Sequence, residues 1–234
     1  MKFKFRGKEL KFQKHELDNN IFHLRIANRR KTLVEKNFEP TYLVNEPSCN
    51  VFIWNDPAQQ KVLIESDKKS FNDSMTVAEI LNANLMPLVR TAGLEIDIRK
   101  EFQENEFWEL VETHKDNIRM VKFDLLYPNL PDSHKDISEE IKEAAKLMHA
   151  DKTSIAFEAK NNDVLTDIDK NNEHISALNK ATSMQGSPIS IKLKGIKKMT
   201  KTGKGIKSIY IEEAEFTGNN IDDLNVVAKK LFNS

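Results

Sequence analysis

The segment Ile189–Phe216, ISIKLKGIKKMTKTGKGIKSIYIEEAEF, carries the strongest local pattern in the chain. Apolar and polar residues alternate at both of its ends, which is the period of a β-strand with one buried face. A stretch punctuated by glycines lies between these two runs. The pattern therefore predicts a long β-hairpin over 189–216, with its tip at 197–205.

The predicted hairpin is strongly basic, although the chain of 234 residues has a formal net charge of zero. Residues 192–207 contain no acidic residue and seven lysines: Lys192, Lys194, Lys197, Lys198, Lys201, Lys204 and Lys207. Residues 1–36 form a second basic segment, with eleven Lys or Arg against four acidic residues. Because the remainder is acidic, we expect two basic surfaces on an acidic body.

The composition is typical of a folded, water-soluble protein. Hydrophobic residues make up 39% of the chain and charged residues 31%, with only seven glycines and seven prolines. The single cysteine, Cys49, has no second cysteine with which to form an internal disulfide. No stretch resembles a signal peptide or a membrane span, so we expect a cytoplasmic protein without membrane contact.

Periodicity indicates strands first and a helix after them. Alternating apolar residues in the first third predict short strands at 1–6, 22–26, 41–44, 50–54 and 61–65. The apolar residues that follow recur with helical spacing and predict a helix at about 76–92. Thr76 and Glu79 have the spacing of a capping box at its start.

Helices and strands alternate in the second half of the chain. The predicted fold class is α+β, with mixed, mostly antiparallel sheets and helices packed on one face. We expect a β-rich N-terminal domain over residues 1–100. We expect a two-layer α/β domain over residues 101–234, which would include the hairpin at 189–216 and a terminal helix capped by Asn220.

The lysine-rich hairpin favours contact with nucleic acid. Lysine offers a point charge without the bidentate fork that reads bases, so such contacts would involve phosphates and be independent of sequence. Four basic residues near the N-terminus could add to the same surface. The candidate binding residues are Lys192, Lys194, Lys197, Lys198, Lys201, Lys204, Lys207, Arg25, Arg29, Arg30 and Lys31. The resulting hypothesis is a non-catalytic nucleic-acid-binding or sensing component that needs no cofactor.

An enzymatic alternative depends on three residues. Pro131-Asp132, followed by Glu158-Ala159-Lys160, resembles the metal-dependent nuclease motif of the restriction-endonuclease superfamily. The resemblance implies that Asp132 and Glu158 would hold Mg²⁺, while Lys160 would orient water or stabilise charge on the phosphate. The same Glu-x-Lys string also occurs at Glu9 and Glu140, so it is not specific to this position.

A third alternative is an interaction subunit that makes no contact with nucleic acid. Residues 37–190 contain sixteen basic and twenty-seven acidic side chains. Such an acidic surface would suit docking to a basic protein, and a homo-oligomer is a further form of the same alternative.

A final resemblance concerns the biological setting. Residues 118–129, IRMVKFDLLYPN, together with Gly186–Lys194, are similar to poorly characterised bacterial proteins carried by mobile elements and phage-defence islands. The resemblance implies a role in bacterial antiviral defence and assigns no functional residue.

Overall fold

The structure, a computed structural model, describes residues 3–56, 60–126, 139–160, 163–210 and 220–232. The chain divides into unit 1, which comprises residues 1–98 and 209–234, and unit 2, which comprises residues 99–208. Each unit combines helices with antiparallel strands, so the predicted α+β class is confirmed.

The regular elements are numbered in chain order. The strands are β1 (Phe3–Phe5), β2 (Lys8–Glu16), β3 (Ile21–Ala27), β4 (Arg30–Lys36), β5 (Glu39–Asn45), β6 (Ser48–Asn55), β7 (Gln60–Ile64), β8 (Ile118–Leu126), β9 (Lys152–Glu158), β10 (Ser190–Leu193) and β11 (Thr200–Lys201). The helices are α1 (Ser74–Arg90), α2 (Glu104–His114), α3 (Glu139–Leu147), α4 (Glu173–Met184) and α5 (Ile221–Phe232).

Unit 1 is built on a five-stranded sheet with the order β1-β2-β3-β6-β7, in which all neighbours are antiparallel. The helix α1 packs Val77, Ile80 and Leu81 into a cluster with residues such as Ile26 and Val51 of the sheet. Because successive residues of a strand point to opposite faces, Phe52 lies on the other face, where it packs with α5. Within the described residues, strands β4 and β5 pair with each other and with no other strand, so they form a separate hairpin.

The cap of α1 differs from the predicted capping box. Asp73 is the N-cap, because its Oδ1 accepts a hydrogen bond of 2.8 Å from the backbone N–H of Thr76. Thr76 therefore lies inside the first turn. The helix ends at Arg90, two residues before the predicted end.

The terminal helix α5 belongs to unit 1 and not to a C-terminal domain of residues 101–234. Asn220 caps it as predicted, since its Oδ1 accepts from the backbone N–H of Asp222 at 3.1 Å. The apolar stripe of α5, which includes Leu224, Val227 and Leu231, packs against Leu17, Ile21 and Phe52. These partners lie in the first quarter of the chain and the helix lies at its end, so local periodicity could not identify them.

Unit 2 has two layers. Its four-stranded sheet has the order β11-β10-β8-β9, and all its neighbours are antiparallel. Helices α2 and α4 cover one face and enclose a core that includes Phe107, Val121, Phe123, Leu178 and Ile191. Because side chains alternate along a strand, the residues between these core positions point to the opposite face.

The basic hairpin is shorter than predicted. Strand β10 pairs with β11 at Ser190 opposite Lys201 and at Ile191 opposite Thr200. The pairing ends at Thr202, whose backbone N–H donates to the carbonyl of Ile189 at 3.0 Å. The predicted second strand at 206–216 is therefore wrong for residues 206–210, whose one ladder contact is a bridge between Ile206 and Phe102. Residues 211–216 lie outside the described residues.

Cys49 is buried in the core of unit 1, where 1% of its surface is exposed. Burial, together with the charges of Glu65 and Asp67, raises the pKa of its thiol to about 12. The thiol is therefore protonated and unreactive at neutral pH. Among the helices in the described part of the chain, none is both long enough and apolar enough to cross a bilayer.

Candidate nucleic-acid interface

The tip of the β10–β11 hairpin consists of residues 194–199. Gly195 adopts φ +76°, a conformation that turns the chain directly after Lys194. Lys194, Lys197 and Lys198 are all exposed at this tip. The tip thus carries three exposed lysines, and it begins three residues before the predicted tip at 197–205 and overlaps it at 197–199.

The glycine-rich segment after β11 holds an anion that belongs to the chain. The consecutive backbone N–H groups of Gly203, Lys204 and Gly205 donate to Glu106 Oε2 at 2.9, 3.0 and 3.1 Å. Successive N–H groups that converge in this way form a nest, an arrangement that binds anions. Partial burial opposes ionisation of Glu106, but these hydrogen bonds outweigh it and lower the pKa of the carboxyl. The segment is therefore a structural clamp on α2.

This clamp changes the role of two predicted binding residues. Lys204 supplies a backbone N–H to Glu106, while its side chain is exposed. Lys207 forms an ion pair with Glu101, with Nζ and Oε2 3.7 Å apart. The lysines at the end of the basic segment therefore do not extend the hairpin as the sequence predicted.

The outer face of the unit 2 sheet, which is opposite α2 and α4, is rich in basic residues. The pairing register aligns Lys201, Ser190, Lys122 and Ala156 in one row across the four strands. Residues that lie directly opposite one another in antiparallel strands point to the same face. Ser154 and Ala156 of the edge strand β9 are exposed, so this face is open to solvent there, whereas Ser190 of β10 is buried. We call this surface the outer face.

Further positions of the outer face follow from the same register. Two residues along from Lys122, Asp124 lies opposite Ser154, and in the other direction Met120 lies between Lys192 and Glu158. The basic and acidic side chains of the outer face, including Arg119 through its ion pair with Glu158, are Arg119, Lys122, Lys152, Lys192, Lys201, Asp124 and Glu158. Positive charge thus predominates on it.

Asp124 is the centre of a polar cluster on the outer face. Its carboxylate contacts Lys152 Nζ at 2.6 Å, Ser154 Oγ at 2.7 Å and Lys122 Nζ at 3.2 Å. Partial burial opposes its ionisation, but these hydrogen bonds outweigh it and lower the pKa of Asp124. The cluster fixes the positions of two ammonium groups on neighbouring strands.

We expect replacement of Asp124 by asparagine to lower the free energy of unfolding by about 1 to 2 kcal/mol at neutral pH. The lowered pKa means that ionised Asp124 stabilises the fold above the pKa of the unfolded state, and that this contribution disappears as the pH falls through the folded pKa. Chemical denaturation at several pH values measures the effect. The exposed Asp151→Asn is the control and should match the wild type. An equal difference between Asp124→Asn and wild type at every pH would contradict the prediction.

Two of the three residues of the nuclease alternative, Glu158 and Lys160, lie within the described part of the chain. Glu158 lies at the end of β9, where its Oε1 is 3.3 Å from Arg119 Nη2, and Lys160 is exposed. Asp132 lies outside the described residues. Within the ranges that the structure describes, no group of three or more His, Cys, Asp or Glu side chains could hold a metal ion. The proposed trio therefore stays a prediction.

The basic residues near the N-terminus lie in unit 1. Arg25, on β3, donates from Nε to Ser48 Oγ at 2.7 Å. Arg30 donates to the carbonyl of Lys68 at 3.4 Å and to Asn72 Oδ1 at 3.3 Å. Arg29 and Lys31 are exposed. Since Arg25 and Arg30 bond within unit 1, they act in part as structural residues.

Four charged residues of the outer face were not predicted from the sequence: Arg119, Lys122, Asp124 and Lys152. For Lys122 and Asp124 the available signal was alternation with the apolar Val121, Phe123 and Leu125. The register with β10 could not be known from the sequence. Comparison of the chain with protein-family models, with curated proteins and with solved structures finds no match.

Proposed function

We propose that this protein binds nucleic acid without catalysis and that unit 2 provides the binding surface. The observation that carries the proposal is the predominantly basic outer face, which is exposed at both edge strands, at Lys152 and Lys201, and continues into the lysines at the hairpin tip. Single- and double-stranded nucleic acids both present closely spaced phosphates, and such a surface would neutralise several of them together.

Lysine composition limits the kind of recognition. Ammonium groups act as point charges, so they would contact phosphates and would not distinguish bases. The apolar positions of the outer face are Met120, Leu126 and Ala156, which offer no aromatic ring on which a base could stack. Binding on this surface would therefore be independent of sequence and sensitive to salt.

Two lysines of the outer face, Lys192 and Lys201, are best suited to test phosphate binding by substitution. Among the residues that the structure describes, no ion pair joins Lys192 or Lys201 to a carboxylate, whereas Lys122 and Lys152 both contact Asp124. A phosphate near Lys192 or Lys201 would not have to displace an internal partner. These two side chains should therefore contribute most directly to affinity.

The test compares the double variant Lys192→Ala/Lys201→Ala with wild type in binding to labelled single- and double-stranded DNA and RNA across a salt series. Loss of two phosphate contacts is expected to make the plot of log K against log salt shallower by about 1.4 to 1.8. The matched control is Lys170→Ala/Lys180→Ala, which removes two exposed lysines from α4 and the turn before it. Its slope should equal that of the wild type.

The variant Asp124→Asn tests the same surface by an expected gain of affinity. Removing this carboxylate releases Lys122 and Lys152, so we expect tighter binding from a protein that is less stable. Absence of binding at low salt, or equal slopes for both double variants, would refute the proposal. Adding Mg²⁺ to the same samples and looking for cleavage tests the nuclease alternative, in which Asp132, Glu158 and Lys160 would act.

From the resemblance of residues 118–129 to proteins of phage-defence islands, we propose a role in bacterial antiviral defence in the cytoplasm. The acidic composition of residues 37–190 supports a protein partner as the alternative role if nucleic acid does not bind.

A further inference from the structure

Strands β4 and β5 form a hairpin that stands apart from both larger sheets. Arg30–Lys36 pairs with Glu39–Asn45, and neither strand joins another sheet in the described part of the chain. Asn37 and Phe38 form the two-residue loop with φ values of 54° and 64°, as a type I′ turn requires. We call this hairpin the arm. An isolated two-stranded hairpin is marginally stable in water, so a further contact would stabilise it.

The arm exposes several large apolar side chains. Phe38, at its tip, is 94% exposed. The other exposed apolar side chains of the arm are Leu33, Tyr42, Leu43 and Val44. Leu33 lies directly opposite Tyr42, and Val44 is on the same face two residues further along. Contiguous exposed apolar groups of this kind are typical of interaction surfaces.

The two edges of the arm differ in their ability to accept another strand. Lys36 and Glu39 flank the two-residue loop and form a hydrogen-bonded pair, so Pro40 is at a position whose nitrogen points to the free edge of β5. Proline has no N–H to donate there, and it protects that edge. On β4, by contrast, Lys31, Leu33 and Glu35 direct their backbone N–H and C=O groups outward. The open edge is therefore that of β4.

We propose that β4 pairs with β4 of a second copy of this chain, antiparallel and with the two Leu33 residues opposite each other at the two-fold axis. In this register Lys31 of each copy lies opposite Glu35 of the partner subunit, on the same face as Leu33. Thr32 lies opposite Val34 of the partner subunit on the other face. The apolar patches of two arms then merge around the axis.

Charge pairing favours this register over the two registers that are shifted by one residue at the two-fold axis. A shift of the axis to residue 32 places Lys31 opposite Leu33, and a shift to residue 34 places Leu33 opposite Glu35, so each alternative loses the two ion pairs. At its two ends, the proposed register places Arg30 of one copy opposite Lys36 of the partner subunit, which are like charges. Lys36, however, already lies opposite Glu39 within the arm, and Arg30 donates to Lys68 and Asn72.

The test uses charge exchange and sedimentation velocity of the full chain over a concentration series. Lys31→Glu or Glu35→Lys alone places like charges opposite each other twice, and we expect each to weaken dimerisation roughly 10-fold. An equimolar mixture of the two variants restores both pairs and should dimerise as the wild type does. The double variant Lys31→Glu/Glu35→Lys should behave in the same way.

The matched control is Lys8→Glu, which makes the same charge change at an exposed position of β2 and should leave dimerisation unchanged. Circular dichroism establishes that all variants fold. A wild type that stays monomeric at every concentration would overturn the proposal, as would single variants that dimerise like the wild type or a mixture that does not recover. This inference is independent of the proposed nucleic-acid binding.

Discussion

Replacement of Gly186 by alanine is expected to destabilise unit 2 by about 2 to 5 kcal/mol, from a backbone penalty and a steric clash. Gly186 ends α4 with φ +64°, where the backbone N–H of Ser187 donates to the carbonyl of Thr182 and that of Gly186 to Ser183. These two bonds form a Schellman motif, which favours glycine at this position. An added Cβ would also lie 2.2 Å from the carbonyl oxygen of Lys100, a backbone atom that cannot move away easily.

Gly195→Ala separates the two causes. Gly195 lies in the same unit and has φ +76°, but a Cβ added there meets nothing within 4 Å. We expect this variant to lose only about 1 to 2 kcal/mol, the penalty for a left-handed alanine. Thermal and chemical unfolding measure both variants. Equal losses would mean that the backbone conformation alone matters and that the contact with Lys100 relaxes.

The sequence predicted those elements that carry a periodic or continuous run of apolar residues. The strands β6, β7 and β10 and the helix α5 carry such runs, and the structure confirms them. The pattern predicted a strand at 41–44, which lies within β5, but it did not predict β4 or the pairing that forms the arm, because these strands expose apolar residues such as Leu33 and Leu43. The Asn37-Phe38 turn also lacks the glycine that usually identifies a two-residue hairpin loop.

The prediction of a long hairpin was wrong because of Glu106, a residue about 100 positions earlier in the sequence. The alternation of residues 206–210 is typical of a strand. To extend the hairpin, however, the backbone amides of the residues before this segment would have to remain available to β10. Glu106 takes the amides of Gly203, Lys204 and Gly205 and directs the chain away from β10. No local pattern indicates which of 36 acidic residues would do so.

The sequence predicted a lysine-rich candidate site, but it did not predict which strands contribute residues to that site. The run of lysines identified the region of the hairpin tip, although not its bounds, whereas the outer face depends on the order β11-β10-β8-β9. Lys122 and Lys152 are distant from the lysine run in sequence and join Lys192 and Lys201 only through pairing of the strands. A surface assembled from four strands is a property of the register, which hydrophobic pattern specifies only in part.

Removal of the Glu106 carboxylate tests the clamp between α2 and the segment after β11. We expect Glu106→Ala to lower the free energy of unfolding by about 2 to 4 kcal/mol at neutral pH, because three N–H donors lose a charged acceptor. Hydrogen exchange gives the local measurement, since the amides of Gly203, Lys204 and Gly205 should lose their protection. Glu109→Ala, an exposed position on the same helix, is the control and should leave these amides unchanged.

The pH dependence distinguishes a charged clamp from simple packing. Because the hydrogen bonds lower the pKa of Glu106 in the folded state, the ionised carboxylate stabilises the fold above the unfolded pKa of about 4.3. That stabilisation is lost as the pH falls through the folded pKa, so the difference between Glu106→Ala and wild type should shrink in acid. Glu106→Gln, which keeps one acceptor oxygen and loses the charge, should lie between them. If its difference from wild type were zero at neutral pH, the charge would contribute nothing and the nest would be a neutral hydrogen-bonded turn.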